Sequence, residues 1–393
     1  MIRRRLFLGL ILVGAGVPAA TLPAQDDASP TASATACYEW LAAPAYRRQI
    51  AAIRPLVPKM KMAFAAPGLG VAIAVRGKLV WSETCGLADR ERGRPVTRTT
   101  LFRIGSVSKP LTAAAAARLA QSGKLDLDAP VQRYVPSFPE KNGKITLRAL
   151  GGHLAGIRHY HGAEALSSKH YASVTDALRV FADDPLVSEP GSAFFYSSYG
   201  FNLLGAALEG AERRPYATVV RETLFDPLGM ASTRPDVNGN TIAARARFYE
   251  ISSARAARPA PSVDLSNRYP SGGLLSTAED LARFGSGVTN PAFFSPRTQT
   301  LLFLSQQTAA GEATRYGFGF ETAKSPVGPF AGHTGNVVGG TAFLLIHPRT
   351  RVVVALTTNI GFVTAPRPPD IGRNVPIPPQ LALPFVRAIR AKG

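Results

Sequence analysis

The chain has 393 residues, of which 46% are hydrophobic and 18% charged. That balance excludes a disordered or fibrous chain and leaves room for a full hydrophobic core. Forty-five Lys and Arg against 26 Asp and Glu leave a net charge of +19, which would suit an anionic polymer or lipid. Because no basic run is interleaved with aromatics, nucleic acid is not an expected partner, and the excess reads as an Arg-rich composition.

Arg3, Arg4 and Arg5 precede the apolar run LFLGLILVGAGV and the small residues of PAATLPAQ. This pattern predicts a signal peptide over 1–24, cut near Ala19 or Ala24, and then a flexible leader over 25–43. The apolar run is short for a membrane span, so the mature chain is expected to have none and to be periplasmic or secreted. The twin arginines and the h-region fit a Tat or a Sec route; an uncleaved anchor is the alternative. The two cysteines, Cys37 and Cys85, would lie in an oxidising compartment, paired or free, and their spacing decides neither.

YRRQIAAIRPLVPKMKMAF predicts a helix interrupted at Pro55 and Pro58, and LGVAIAVRGKLVWSETCG a β-hairpin turning at Gly77. A small-residue helix is expected from Ser106 through LTAAAAARLAQSG, with its Ala face buried between neighbours. Residues 125–310 read as helices and long loops. In LLSTAEDLARF, Ser276 is the expected N-cap, with Glu279 completing a capping box. GGTAFLLIHPRTRVVVALTTN returns to strands joined at Pro348–Thr350, and a last helix follows a Pro-rich loop over 363–379. Strands at both ends with helices between predict a sheet assembled from distant segments. The expected arrangement is one domain over 44–392, with a sheet lobe (44–105 and 311–392) and a helical lobe (106–310) between.

The chemistry is expected at FRIGSVSKPL. Ser106 and Lys109 are three residues apart and share a helix face. Pro110 is tolerated in a first helical turn, which places Ser106 at a helix N-terminus where developing negative charge is favoured. Leu111, five alanines and Leu119 follow, so Lys109 is expected to be buried. A buried unpaired lysine has a lowered pKa and can take a proton from a serine nucleophile.

FRIGSVSKPLT resembles the first motif of serine β-lactamase-like and penicillin-binding proteins. ITLRALGGHLAGIRHY, EPGSAFFYSSYGFNLLG, LFDPLGMAST, GGLLSTAEDLARF and GHTGNVVGG extend the resemblance over about 67–360, in the family's order. GKLDLDAPVQRYVPSFPEK and GIRHY resemble a mitochondrial branch of the family and its bacterial relatives more than the resistance enzymes. The resemblance implies an α/β (α+β) fold of the β-lactamase/transpeptidase type: an antiparallel sheet from the two ends of the chain, flanked by helices, with an inserted helical lobe. It implies Ser106 as nucleophile, Lys109 as its proton partner and Tyr196 as a proton relay, with the N–H groups of Ser106 and Asn336 as oxyanion hole. Ser198 stands where the family has Asn. His333, Thr334 and Gly335 form the third motif, with His333 in place of a lysine and acting as a weaker, pH-dependent cation. Gly335 is expected to let substrate backbone lie along the strand edge.

Other hydrolase chemistries lack their residues. Gly-x-Ser-x-Gly does not occur. His159 and His161 form an H-x-H without a convergent third ligand, and no phosphate-cradling loop is seen, so neither metal nor organic cofactor is expected. The expectation is an exported serine hydrolase acting through an acyl-enzyme on an ester, amide or peptide, with an oligomer possible. The alternatives are a penicillin-binding DD-peptidase or weak β-lactamase, and a non-catalytic binding or assembly module on the same fold.

Overall fold

The computed structural model describes residues 35–238, 242–252, 256–363 and 378–391. The signal-peptide segment and most of the Pro-rich loop lie outside the described residues. The main sheet uses β1 (Cys37–Ala42), β2 (Gly68–Val75), β3 (Lys78–Asp89), β4 (Glu321–Ala323), β5 (Phe330–Val337), β6 (Gly340–His347) and β7 (Val352–Thr358). Its order is β1-β3-β2-β7-β6-β5-β4, and a short strand at Arg94–Pro95 pairs farther along β3. These pairings are antiparallel, and the β2–β7 pair joins the two ends of the chain at the sheet's centre.

Side-chain size alternates along the central strands and sets what packs on each face. Leu69, Val71, Ile73 and Val75 of β2, with Val352, Val354 and Leu356 of β7, share a core with helices α1 (Arg47–Ile53), α2 (Leu56–Ala63) and, at the chain end, Pro378–Arg390. Ala72 and Ala74, with Val353 and Ala355, face the other core, built around α3 (Ser108–Gln121), α4 (Ser198–Glu212) and α5 (Ala278–Val288). That face carries the small residues because α5 lies close upon it: a Cβ on Gly285 would come within 2.4 Å of Val353 Cγ1. Residues 113–117 of α3, all alanine, are fully enclosed.

The hairpin turns at Arg76 and Gly77, both with positive φ, and Pro348 to Thr350 lie in the β6–β7 connection. Three expectations need correction. The leader over 25–43 stops short, since Cys37–Ala42 join the sheet as β1, and a disulfide links Cys37 to Cys85, its partner in register on β3. The boundary of the helical lobe also shifts, because α5 packs on β2, β3, β6 and β7. The cap of α5 is Thr277, whose hydroxyl accepts from Asp280 N–H at 3.1 Å; Ser276 ends a strand and bonds Thr233 instead. Pairing at Ser276 ends the strand one residue later than the cap motif alone implies. Among the described residues, no helix is long and apolar enough to cross a membrane.

Candidate active site

Two rigid elements meet at the site. Ile104 is followed by a 3-10 turn, Gly105–Val107, that runs into α3, and Pro110 falls in the first turn of that helix. Beyond Gly332, β4 no longer pairs with β5, so His333–Val337 continues as an edge against the 3-10 turn. The approach is close enough to require two glycines. Gly105 has φ +51, and a Cβ there would lie 2.7 Å from Asn336 N; a Cβ on Gly335 would lie 2.0 Å from Ile104 O. Gly335 is therefore glycine because the strand packs on the Ser106 turn. This packing is a reason for the glycine beside the expected one, that substrate backbone lie along the same edge. Asn336 is further fixed by its Oδ1, which accepts from Phe362 N–H at 3.0 Å.

Lys109 is completely buried. Its Nζ lies 3.0 Å from Ser106 Oγ, 3.1 Å from Ser198 Oγ and 2.9 Å from Ser271 O. The ammonium position is 4.8 Å from the centre of the Tyr196 ring. Burial lowers the Lys109 pKa to about 7, with the Glu321 carboxylate opposing the shift. At neutral pH a large fraction is free amine, with two N–H donors for Ser198 and Ser271 and a lone pair for the Ser106 proton. Ser198, expected at the substrate, is buried, and its hydroxyl bonds Lys109.

The Tyr196 phenol is hydrogen-bonded to Ser106, yet burial raises its pKa, and the Ser106 bond only partly opposes this. It stays a protonated phenol. That leaves it able to donate and relay, as expected of it, but not to act as a tyrosinate base.

His333 is also not the cation expected. It is buried, with Nδ1 2.5 Å from Thr334 O and Nε2 2.9 Å from the Tyr316 hydroxyl. Burial, then the charge on Lys109, lowers its pKa to about 3. It is a neutral imidazole donating to a carbonyl and accepting from a phenol. Thr334 is exposed, and its hydroxyl donates to Glu321 at 3.4 Å.

Sequence reasoning missed His153, Tyr316, Glu321 and the Ser271 carbonyl. Ser197 N–H donates to His153 Nδ1, and Ser198 N–H donates to His159 Nδ1, each at 3.1 Å. The two histidines thus hold the backbone that leads from Tyr196 into α4, satisfying donors at a helix start. Burial, ahead of the Lys109 charge, takes His159 down to about 4 and His153 well below its ordinary value. His159, set aside from a metal site on sequence grounds, is a positioning residue here. Among the described residues, the grouping with metal-like spacing is Cys37, Glu83 and Cys85, whose two sulfurs are joined to each other.

The arrangement can activate a serine hydroxyl. Lys109 accepts the proton only as free amine, so modification of Ser106 by a fluorophosphonate should accelerate with rising pH through a midpoint near the Lys109 value of about 7. The check is the second-order labelling rate against pH. A rate flat between the acid side and the alkaline side of that value would remove Lys109 as the base.

An antiparallel sheet built from both chain ends, with a Ser-x-x-Lys helix start packed beside an edge strand, defines a β-lactamase-type fold. Residues 58–374 match the Beta-lactamase family, and the chain belongs to it. It is 30% identical over 398 residues to the serine beta-lactamase-like protein LACTB, mitochondrial, of Homo sapiens, covering 77% of this chain and 73% of that protein. It is 34% identical over 293 residues to Esterase EstB of Burkholderia gladioli, covering 64% and 74%. The D-amino acid amidase from Ochrobactrum anthropi SV3 superposes with a TM-score of 0.71 at 21% identity, covering 86% and 99%. Relatives of the fold therefore include an esterase and an amidase.

Proposed function

We propose that this chain is a serine hydrolase that cleaves small esters or amides through an acyl-enzyme on Ser106. The observation that carries the reading is the fully buried Lys109 amine 3.0 Å from Ser106 Oγ. In acylation, the free amine takes the Ser106 proton while Oγ attacks the carbonyl carbon. The N–H groups of Ser106 and Asn336 hold the oxyanion. The Tyr196 phenol, bonded to Ser106, gives its proton to the leaving oxygen or nitrogen as the tetrahedral intermediate collapses, and the proton that Lys109 took from Ser106 replaces it. Water then attacks the acyl carbon, giving a proton to the free Lys109 amine, and that proton returns to Ser106 Oγ as the acid product leaves. The likeness to Esterase EstB supports esters over peptides.

Poor β-lactam turnover belongs to the same reading. A β-lactam brings a carboxylate, whereas His333 is neutral at physiological pH and Ser198 is committed to Lys109. Purified protein should hydrolyse p-nitrophenyl acetate or butyrate far faster than nitrocefin, measured as kcat/KM on both. Efficient nitrocefin turnover would move the assignment to a β-lactamase.

We place the mature chain in the periplasm or outside the cell. The Arg3–Arg5 segment with its apolar run supports this, as does the Cys37–Cys85 disulfide, which suits an oxidising compartment. N-terminal sequencing of protein from its own host should begin near Ala20 or Gln25. An intact Met1 in the cytoplasm would overturn the placement.

A further inference from the structure

We infer that Glu321 makes this site discriminate by charge, disfavouring substrates with a carboxylate beside the scissile bond and favouring uncharged or cationic ones. The inference rests on the hydrolase reading and adds to it a substrate class and a residue that sets it. Glu321 sits on β4, paired with Gly332, where β4 stops and the open edge of β5 begins. Its Oε1 accepts from the Thr334 hydroxyl at 3.4 Å and lies 3.6 Å from His333 Nδ1. Its side chain is 47% exposed, so a substrate lying along the edge meets it; partial burial raises its pKa against the hydrogen bonds from Thr334 and the Lys109 charge, so its negative charge is fullest on the alkaline side. Its field reaches both Lys109 and Tyr196, the groups beside Ser106.

The His333–Gly335 segment borders the turn that carries Ser106, and it offers no positive charge. His333 spends both ring nitrogens on Thr334 O and Tyr316. Thr334 spends its hydroxyl on the protein's own carboxylate. An incoming carboxylate must displace or face Glu321, and like charges a few ångströms apart at a half-buried surface repel strongly enough to be read in kinetics. A neutral group meets no such repulsion, and a cation is attracted.

Three acetate esters that differ in one para substituent test this: 4-acetoxybenzoate, 4-acetoxybenzamide and 4-(trimethylammonio)phenyl acetate. Each kcat/KM is divided by the ester's spontaneous hydrolysis rate, which removes differences in leaving-group acidity. Measurements are made on the alkaline side of the Lys109 pKa of about 7. The unmodified protein should favour the cationic and neutral esters over the anionic one. E321Q should raise the anionic-to-neutral ratio about tenfold, lower the cationic-to-neutral ratio, and leave both insensitive to salt. E321K should invert the order. Removing the carboxylate also changes Lys109, but that change acts on all three esters alike and cancels in the ratios. Ratios unchanged in a folded E321Q, or a uniform loss on all three esters, would overturn the inference while leaving the hydrolase reading intact. No Ser106-dependent turnover of any of the esters would overturn both. If E321K fails to fold, the isosteric E321Q decides alone.

Discussion

Replacing Ser106 with Ala is expected to abolish covalent capture of a fluorophosphonate, and Lys109→Met to slow it by about 10²–10⁴-fold, the usual worth of a positioned proton acceptor. The Met substitution separates chemistry from folding. Lys109 is completely buried and, among the described residues, has no ion-pair partner in contact, and an apolar side chain of similar length relieves the cost of burying an amine. Lys109→Met should therefore melt at or above the temperature of the unmodified protein while losing its reactivity, a stability gain at the expense of function. Intact-mass labelling and a thermal melt on the same samples give both readings. Labelling of Ser106→Ala at an undiminished rate would falsify the nucleophile.

The second large effect is expected at a residue that does not itself titrate. Gly335→Ala would put a Cβ 2.0 Å from Ile104 O and 3.1 Å from Val107 N. Both are backbone atoms of the segment carrying Ser106, so no rotamer change relieves the clash. Either the edge of β5 or the 3-10 turn must move, and the Asn336 N–H moves relative to Ser106. Losing one oxyanion donor costs about 2.7–4 kcal/mol of transition-state stabilisation, so ester hydrolysis should fall by roughly 10²–10³-fold. Overpacking typically costs about 1–3 kcal/mol of stability as well. Gly335→Ala with unaltered kcat/KM would show that the edge and the turn do not form the oxyanion hole together.

The two halves of the site differ in how far sequence could reach them. Ser106, Lys109 and Pro110 are neighbours in the chain, and their helical spacing alone brings hydroxyl and amine to one face. The Ala run of α3 marks Lys109 as buried for the same local reason. The third motif was legible as a place but not as a charge. His333 looks like a cation in the chain, whereas in the fold it lies between Tyr316 and the Thr334 carbonyl, where burial keeps it neutral. Ser198 looked like a weakened substrate contact and turned out to bond Lys109.

What the sequence determined by itself is what depends on neighbouring residues: the β2–β3 hairpin with its Gly77 turn, the alternation that makes β2 and β7 central, the helix that begins beyond Ser106, and the Ser–Lys spacing. Such features follow from backbone sterics and periodicity within a few residues. Only the tertiary structure decided the proton affinities, the cap at Thr277 and the reason for Gly335. It also decided that Glu321 faces the site. Lys109 meets the Ser271 carbonyl across 162 positions, and β4 brings Glu321 to Thr334 by strand pairing. Charge state depends on how much water is excluded and on which distant groups close the space, and neither quantity is written in local spacing.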